Sequence, residues 1–85
     1  MAAWKLVLNE DAFHHLLAGP ASERRQLLAI CEDLKRNPHR PPDYEFADAT
    51  GRTLSVRAAR PFLVTYWLDA FISEIRVVDI RRVRY

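Results

Sequence analysis

Apolar residues are concentrated in the C-terminal part of the chain, in three runs separated by short polar links. The runs are Leu54–Ala59, Phe62–Leu68 and Ile72–Ile80. They are rich in Val, Ile, Leu and aromatic residues, which favour β-strands. Links as short as Arg60-Pro61 and Asp69–Phe71 do not allow a crossover connection, so the pattern predicts a three-stranded antiparallel meander.

Alternation within these runs predicts which side each strand buries. In the first run, Leu54 and Val56 alternate with polar residues such as Arg57. We therefore expect Leu54 and Val56 to face the core and Arg57 to face solvent. Both faces of the second run are apolar, which predicts a central strand covered on both sides, or on one side by a partner. In the third run Val77-Val78 breaks the alternation and leaves two registers open.

The N-terminal part begins with a short apolar segment, Trp4–Leu8, which predicts a strand. Asn9 is then a suitable N-cap for a helix running from about Glu10 to Ala18, because its side chain can accept a backbone hydrogen bond. The helix is expected to bury Phe13, Leu16 and Leu17. Gly19-Pro20 is predicted to end it, with Gly19 in the left-handed conformation.

A second helix is predicted from Ser22, as N-cap, to about Arg36. The tight link between the helices predicts an αα-hairpin. Asn37–Asp43 contains three prolines and is expected to be an extended loop, and Tyr44–Ala47 is a weaker strand candidate. The residues expected on the buried face of the second helix are Leu27, Leu28, Ile30, Cys31 and Leu34.

The element order is therefore β-α-α-β-β-β, with Tyr44–Ala47 as a further strand. This order predicts an α+β fold: a small antiparallel sheet, joined by the N-terminal strand, with the αα-hairpin packed on one face. The 85 residues are enough for a single domain, 1–85. The predicted core contacts join Phe13, Leu16, Leu27, Cys31 and Leu34 of the hairpin to Leu54, Val56, Val64 and Tyr66 of the sheet.

Composition narrows the class of protein. Cys31 is the only cysteine, which excludes an intramolecular disulfide and fits a reducing, cytoplasmic compartment. No apolar run approaches the roughly 20 residues that span a bilayer, so no membrane association is expected. The N-terminal residues do not have the pattern of a signal peptide. We find no metal-ligand cluster, Gly-rich phosphate loop or Ser/His/Asp arrangement, so neither a metal nor another cofactor is expected.

Positive charge accompanies the predicted meander. The net charge of the whole chain is +2, but after Gly51 seven arginines face three acidic residues, a local net charge of +4. A basic sheet surface of this kind is suited to an acidic partner or a phosphate backbone. Its alternative role is a solvated strand face that prevents aggregation at the sheet edge.

The order of elements and several short motifs resemble the RelE/ParE superfamily of type II toxin–antitoxin toxins over nearly the whole chain. The helical hairpin ends in a Leu-x-x-Asn-Pro segment, Leu34–Pro38. An Arg-bearing strand follows at Ser55–Arg57, then an aromatic-to-Tyr strand at Phe62–Tyr66 and a C-terminal basic segment at Ile80–Tyr85.

The resemblance implies a toxin neutralised by a cognate antitoxin protein. Family members of the RelE type bind the ribosome and cut mRNA, and those of the ParE type inhibit DNA gyrase without cleaving nucleic acid. A third interpretation is a degenerate, non-toxic member that only binds a partner. The RelE-type nucleases carry lysines at positions that correspond here to about Thr53 and Ser55, and an arginine at that of Leu63. The expected mRNA endoribonuclease set is therefore incomplete.

Candidate site residues follow from the chemistry of RNA cleavage, which needs a proton acceptor, cations at the phosphate and an acid for the leaving oxygen. Arginine stabilises phosphate but cannot act as a base, because its pKa exceeds about 12. We therefore assign phosphate binding at the catalytic site to Arg81 and Arg82, and proton transfer or base stacking to Tyr85. The predicted nucleic-acid-binding residues are Arg57, Arg60 and Arg84.

Overall fold

The computed structural model describes residues 3–83, with five strands and two helices in the predicted order. Arg84 and Tyr85, two of the predicted site residues, lie outside the described residues. No helix among residues 3–83 is long and apolar enough to cross a membrane. The elements are β1 (Lys5–Leu8), α1 (Glu10–Ala18), α2 (Ala21–Arg36), β2 (Tyr44–Ala47), β3 (Thr53–Ala59), β4 (Phe62–Asp69) and β5 (Glu74–Arg82).

The strands form one sheet in the order β1-β5-β4-β3-β2. The predicted α+β class and the antiparallel meander β3-β4-β5 are confirmed. The sheet is mixed rather than wholly antiparallel, because β1 pairs with β5 in parallel. Two helices and three strands separate β1 from β5, a connection long enough for parallel pairing.

Helix α1 begins and ends as predicted, with a different conformation at its end. The Asn9 side chain accepts a hydrogen bond from the Ala12 backbone at 2.8 Å and donates one to the Val78 carbonyl at 2.8 Å. It thereby caps α1 and ties it to β5. Gly19 is extended, with φ −91°, so the prediction of a left-handed Gly19 is wrong.

Helix α2 begins two residues earlier than expected. Pro20 occupies the N-cap position, and Ser22 lies inside the helix, so the predicted Ser22 cap is wrong. Proline is suited to the beginning of a helix, where its missing N–H has no intrahelical acceptor. The bond between Arg60 and Pro61, in the β3–β4 turn, is cis.

The core lies between the hairpin and one face of the sheet. Leu27 and Leu34 are almost fully buried, with exposures of 2% and 1%. Three of the apolar residues predicted to be buried are instead about half exposed: Phe13, Leu17 and Leu28. The packed cluster comprises Ala12, Leu16, Leu27, Ile30, Leu34, Phe62, Val64, Tyr66, Ile75, Val77 and Ile80.

The predicted orientation of β3 is reversed. Arg57 pairs directly with Val64, a core residue, and Val56 pairs with Thr65. Because directly opposed residues of neighbouring strands share a face, Arg57 faces the helices and Val56 faces away from them. Leu54 and Val56 are buried, as expected, but on the sheet face opposite the hairpin.

Candidate functional site

The sheet face turned away from the helices is the candidate functional site, and we call it the open face. Its residues are fixed by the β3-β4-β5 register, since the core residues of β4 and β5 point to the helices. A bulge opposite Thr65/Tyr66 shifts the pairing of β5 by one residue. The open face carries Leu54, Val56, Leu63, Thr65, Trp67, Arg76, Asp79 and Arg81.

Arg81 lies at one end of the open face, beside a shallow groove of about 220 Å³. Leu63 lies directly opposite Arg81 on β4. The Arg81 side chain is 73% exposed, and its Nε lies 3.7 Å from Oδ2 of Asp79. The groove thus combines an accessible guanidinium with one carboxylate on a largely apolar floor. Its lining residues are Phe46, Val56, Leu63, Thr65, Asp79 and Arg81.

A cation–aromatic cluster lies at the other end of the open face. The Arg52 guanidinium carbon lies 4.0 Å from the centroid of the Trp67 ring, and that of Arg76 lies 5.6 Å from the same centroid. Arg76 also forms an ion pair with Glu74 at 2.9 Å. An indole face attracts cations through its quadrupole, so Trp67 holds guanidinium charge on this surface.

Arg57 is not part of the open face. Its side chain is 15% exposed and donates a hydrogen bond to Asp33 of α2. Arg40, in the proline-rich loop, lies 3.3 Å from the same carboxylate oxygen. The hydrogen bond and positive charge of Arg57 hold the pKa of Asp33 below its usual value, with smaller contributions from Arg40 and Arg36. Asp33 thus links α2, β3 and the loop.

Arg82 also points toward the helices. It pairs with Phe62, a core residue, and forms an ion pair with Glu23 near the beginning of α2. Arg81 and Arg82 are neighbours on a strand and therefore lie on opposite faces of the sheet. The structure does not bring these two predicted phosphate-binding residues together.

Arg60 lies in the turn between β3 and β4, next to the αα-hairpin. Its carbonyl accepts a hydrogen bond from the side chain of Gln26 on α2 at 2.6 Å. The four described arginines of the predicted site, Arg57, Arg60, Arg81 and Arg82, therefore do not form one continuous basic face.

Ion pairing also reduces the positive charge that the sequence places on the sheet. Among the described residues, at least four arginines after Gly51 have a carboxylate neighbour. Their partners come from two sources: α2 supplies Asp33 and Glu23, and β5 itself supplies Glu74 and Asp79. The open face is consequently a surface of mixed charge with aromatic side chains.

The positions at which the sequence resemblance predicts cations, about Thr53 and Ser55 and at Leu63, carry no charge. Thr53 begins β3, Ser55 pairs with Tyr66 on the helix-covered side, and Leu63 lines the Arg81 groove. No group of three potential metal ligands occurs within residues 3–83.

Two members of the site, Asp79 and Arg52, are not among the residues predicted from the sequence. Period-two alternation from Leu63 through Thr65 to Trp67 indicates one face of β4, but only the strand pairing shows that Asp79 lies opposite Thr65 on that face.

Comparison with known proteins identifies the fold. No protein-family model matches the chain, and no curated protein matches its sequence. The archaeal RelE–RelB complex from Pyrococcus horikoshii OT3 contains a chain with a TM-score of 0.73 and 13% identity, over 95% of this chain and 96% of that one. The RelBE2 toxin–antitoxin complex from Mycobacterium tuberculosis gives a TM-score of 0.68 and 16% identity, over 95% and 99%. The fold expected from the sequence resemblance is therefore confirmed as RelE-like.

Proposed function

We propose that this chain is the toxin of a type II toxin–antitoxin pair and that it acts in the cytoplasm. The observation that carries the proposal is the RelE-like fold, which extends over 95% of the chain. Both similar structures are complexes of a toxin with its antitoxin. A cognate antitoxin is accordingly the first partner of this chain.

The exposed apolar surface supports such a partner. Large apolar side chains project from both helices, the edge strand β2 and the β4–β5 turn, where Phe71 is fully exposed. Phe13 and Leu17 are one helical turn apart on α1, so they lie side by side on its exposed surface and offer an apolar contact to a partner. The apolar side chains available to an antitoxin segment are Val7, Phe13, Leu17, Leu28, Tyr44, Phe46, Phe71 and Ile72.

The target of the toxin is ribosome-bound mRNA, and the open face makes the contact. The Arg81 side chain is 73% exposed, compared with 41% for Arg76 on the same face, and it lies beside the groove. A guanidinium there binds phosphate oxygens bidentately. Arg60 is proposed to contact the RNA backbone at the margin of the sheet. Arg84 is proposed to contact the RNA backbone as well, and Tyr85 to transfer a proton or stack on a base. Arg57 contributes only if its ion pair with Asp33 opens, and Arg82, although exposed, lies on the helix side of the sheet away from the open face.

Weak or absent cleavage is expected, because the groove holds few catalytic groups. Leu63 provides no charge opposite Arg81, and Arg81 itself cannot accept a proton. Binding without hydrolysis is sufficient to obstruct translation. The same apolar floor favours one alternative function, a ParE-like gyrase inhibitor, which does not need a nuclease site.

Inducible expression with two readouts tests the proposal. Incorporation of a labelled amino acid reports translation, and plasmid supercoiling reports gyrase. We expect induction to stop growth and translation, and co-expression of the antitoxin to restore both. The antitoxin gene is expected in the neighbouring reading frame.

Arg81→Ala separates the two mechanisms of action on RNA. If Arg81 stabilises developing charge during cleavage, its removal lowers the cleavage rate by about 100- to 1000-fold. If it only binds phosphate, affinity falls and the salt dependence decreases by about 0.7 per contact. Arg25→Ala, an exposed arginine on α2, is the matched control. Loss of supercoiling control with normal translation would establish the gyrase alternative, and growth without any effect would contradict the toxin proposal.

A further inference from the structure

The Arg52 guanidinium lies over the Trp67 ring at the end of the open face that is remote from Arg81. The two groups are 4.0 Å apart, measured from the guanidinium carbon to the ring centroid, which is a stacking distance. Trp67 is on the central strand β4 and is partly buried, whereas Arg52 precedes β3 and is exposed. The indole therefore supports the guanidinium from below, and the outer side of Arg52 is accessible to solvent.

The Arg52 side chain is exposed and accessible to a ligand, and its positive charge also helps to lower the pKa of the Asp48 carboxyl. Within residues 3–83 no ion pair to the Arg52 side chain is present, in contrast to Arg76 and Arg81. Its backbone N–H is bound to Asp48 Oδ1 at 3.0 Å, which fixes the start of the side chain without using the guanidinium. Arg52 and Trp67 border a depression of about 240 Å³ that is also lined by Val7, Asn9 and Arg76.

We propose that the Arg52–Trp67 layer is a stacking site for an unpaired base of single-stranded RNA. This inference rests on the proposed function, in which RNA is the target, and it assigns a second contact on the same face. Bases stack on guanidinium planes and on aromatic rings, and the edge of the same guanidinium donates to a phosphate. The layer thus offers partners to both parts of a nucleotide.

An acidic peptide fits this surface less well than RNA does. Glu74, beside Arg76, repels carboxylates and phosphates alike, so charge favours neither ligand. A guanidinium over an indole favours the ligand that has flat bases to stack, which a chain of carboxylates lacks. Stacking energy does not depend on a high density of positive charge, so a surface of mixed charge accommodates it.

The distance between Arg81 and the Arg52–Trp67 layer sets the minimum span of an RNA strand that contacts both. Leu63, opposite Arg81, and Trp67 are four residues apart on β4, which corresponds to about 13 Å along the strand. A single strand that contacts both sites crosses the middle of the open face, where Thr65 lies. A duplex cannot offer unstacked bases over this distance.

The test begins with fluorescence of Trp67. Trp4 and Trp67 are the only tryptophans, so Trp4→Phe leaves Trp67 as the single indole emitter. We titrate this protein with a short single-stranded RNA, with the corresponding duplex RNA and with poly-L-glutamate of equal charge. Single-stranded RNA is expected to quench Trp67 and to bind more tightly than the other two.

Variants then separate stacking from charge, with binding measured by the anisotropy of a labelled RNA. Arg52→Ala is expected to weaken binding by about 5- to 150-fold, the range for loss of one stacked base. Arg52→Lys keeps the charge but not the plane, so it should lose most of this affinity with an unchanged salt dependence. Trp67→Phe should lose an intermediate amount, and Arg25→Ala should bind like the wild type. Circular dichroism confirms that each variant is folded.

Several results would overturn the inference. They are equal binding of Arg52→Lys and wild type, equal binding of duplex and single strand, tighter binding of poly-L-glutamate, and no quenching by any RNA. If RNA binds through Arg52 while induction leaves translation unaffected, the stacking site stands and the proposed function fails. If induction blocks translation while Arg52→Ala binds RNA normally, the proposed function stands and the stacking site fails.

Discussion

Leu28 and Leu34 lie on the same helix, α2, and offer a matched test of where the core is. The sequence pattern predicted burial for both. In the structure Leu34 is 1% exposed and belongs to the packed cluster, whereas Leu28 is 52% exposed. The perturbation is the same in each case, truncation of leucine to alanine at an interior position of a helix.

The expected costs differ because only Leu34 leaves a cavity. Truncation of a buried leucine lowers the free energy of unfolding by about 2–5 kcal/mol, through lost burial and the void that remains. A small domain is stable by only about 5–15 kcal/mol, so Leu34→Ala removes a large share. At about 4–8 °C per kcal/mol, its Tm should fall by at least about 8 °C. Leu28→Ala should change stability by no more than about 0.5 kcal/mol, as is usual for surface positions.

Urea denaturation followed by circular dichroism measures both variants. The midpoint concentration should decrease strongly for Leu34→Ala and remain nearly constant for Leu28→Ala. The slope of the transition should be the same in the wild type and both variants, because neither substitution alters the surface exposed on unfolding by much. Helix propensity contributes little to the difference, since alanine replaces leucine on the same helix in both variants.

Two results would refute this account of the core. One is a cost below about 1 kcal/mol for Leu34→Ala, which would show that the site is not tightly packed. The other is an equal cost for Leu28→Ala, which would place Leu28 in the core and contradict the register of α2 on the sheet. A loss of antitoxin affinity in Leu28→Ala, without loss of stability, is the outcome expected if this side chain contacts the partner.

Two further predictions concern ionisable groups. Arg57 lowers the pKa of Asp33, so the stabilisation that Asp33 provides is complete above its unfolded pKa near 4 and is lost as the pH falls through the folded value. Asp33→Asn should therefore reduce Tm at pH 6, and the difference from wild type should narrow below about pH 4; a constant difference across this range would contradict the ion pair. Burial, with a smaller contribution from Glu32, raises the pKa of the Cys31 thiol, so alkylation by iodoacetamide should be slow in the native protein and fast in denaturant, because the thiolate is the reactive form. Rapid labelling of the folded chain would place Cys31 outside the core.

Local signals were sufficient for most element bounds. The Asn9 cap and the Gly19-Pro20 link fix α1, and the three apolar runs became β3, β4 and β5. The third run was expected to begin at Ile72, whereas β5 begins at Glu74 because Ala70–Ser73 form the turn. Ser73 has a positive φ of 52°, which is uncommon for residues other than glycine. The sequence has no glycine in this turn and therefore does not indicate this conformation.

The orientation of β3 could not be predicted from its own residues. Alternation places Leu54 and Val56 on one face and Arg57 on the other, and a charged side chain is expected to face solvent. The deciding partner is Asp33, on a distant helix, whose carboxylate allows Arg57 to lie 15% exposed against the hairpin. Since the side-chain period of a strand is two, this single long-range ion pair accompanies a reversal of the whole strand.

The ambiguity at Val77-Val78 has a structural cause. The β-bulge opposite Thr65/Tyr66 inserts Val78 as an extra residue, so β5 has one register on each side of it. Ile75 and Val77 before the bulge and Ile80 after it can then all face the helices. Both registers left open by the sequence are used, each over part of the strand.

The accessibility of the open face follows from the order of elements. Both helices lie between β1 and β2 in sequence, and their buried residues pack on the same face of the sheet. From β2 to β5 the strands are joined by links of two to five residues. None of these three links is long enough to fold back over the other face. A ligand therefore reaches Arg81 and the Arg52–Trp67 layer without displacing any described element. Arg57 is 15% exposed and is reached only by breaking its ion pair to Asp33, whereas Arg82 is 58% exposed but lies on the helix side of the sheet, paired with Glu23. We therefore place RNA on the open face and assign those two arginines first to stability.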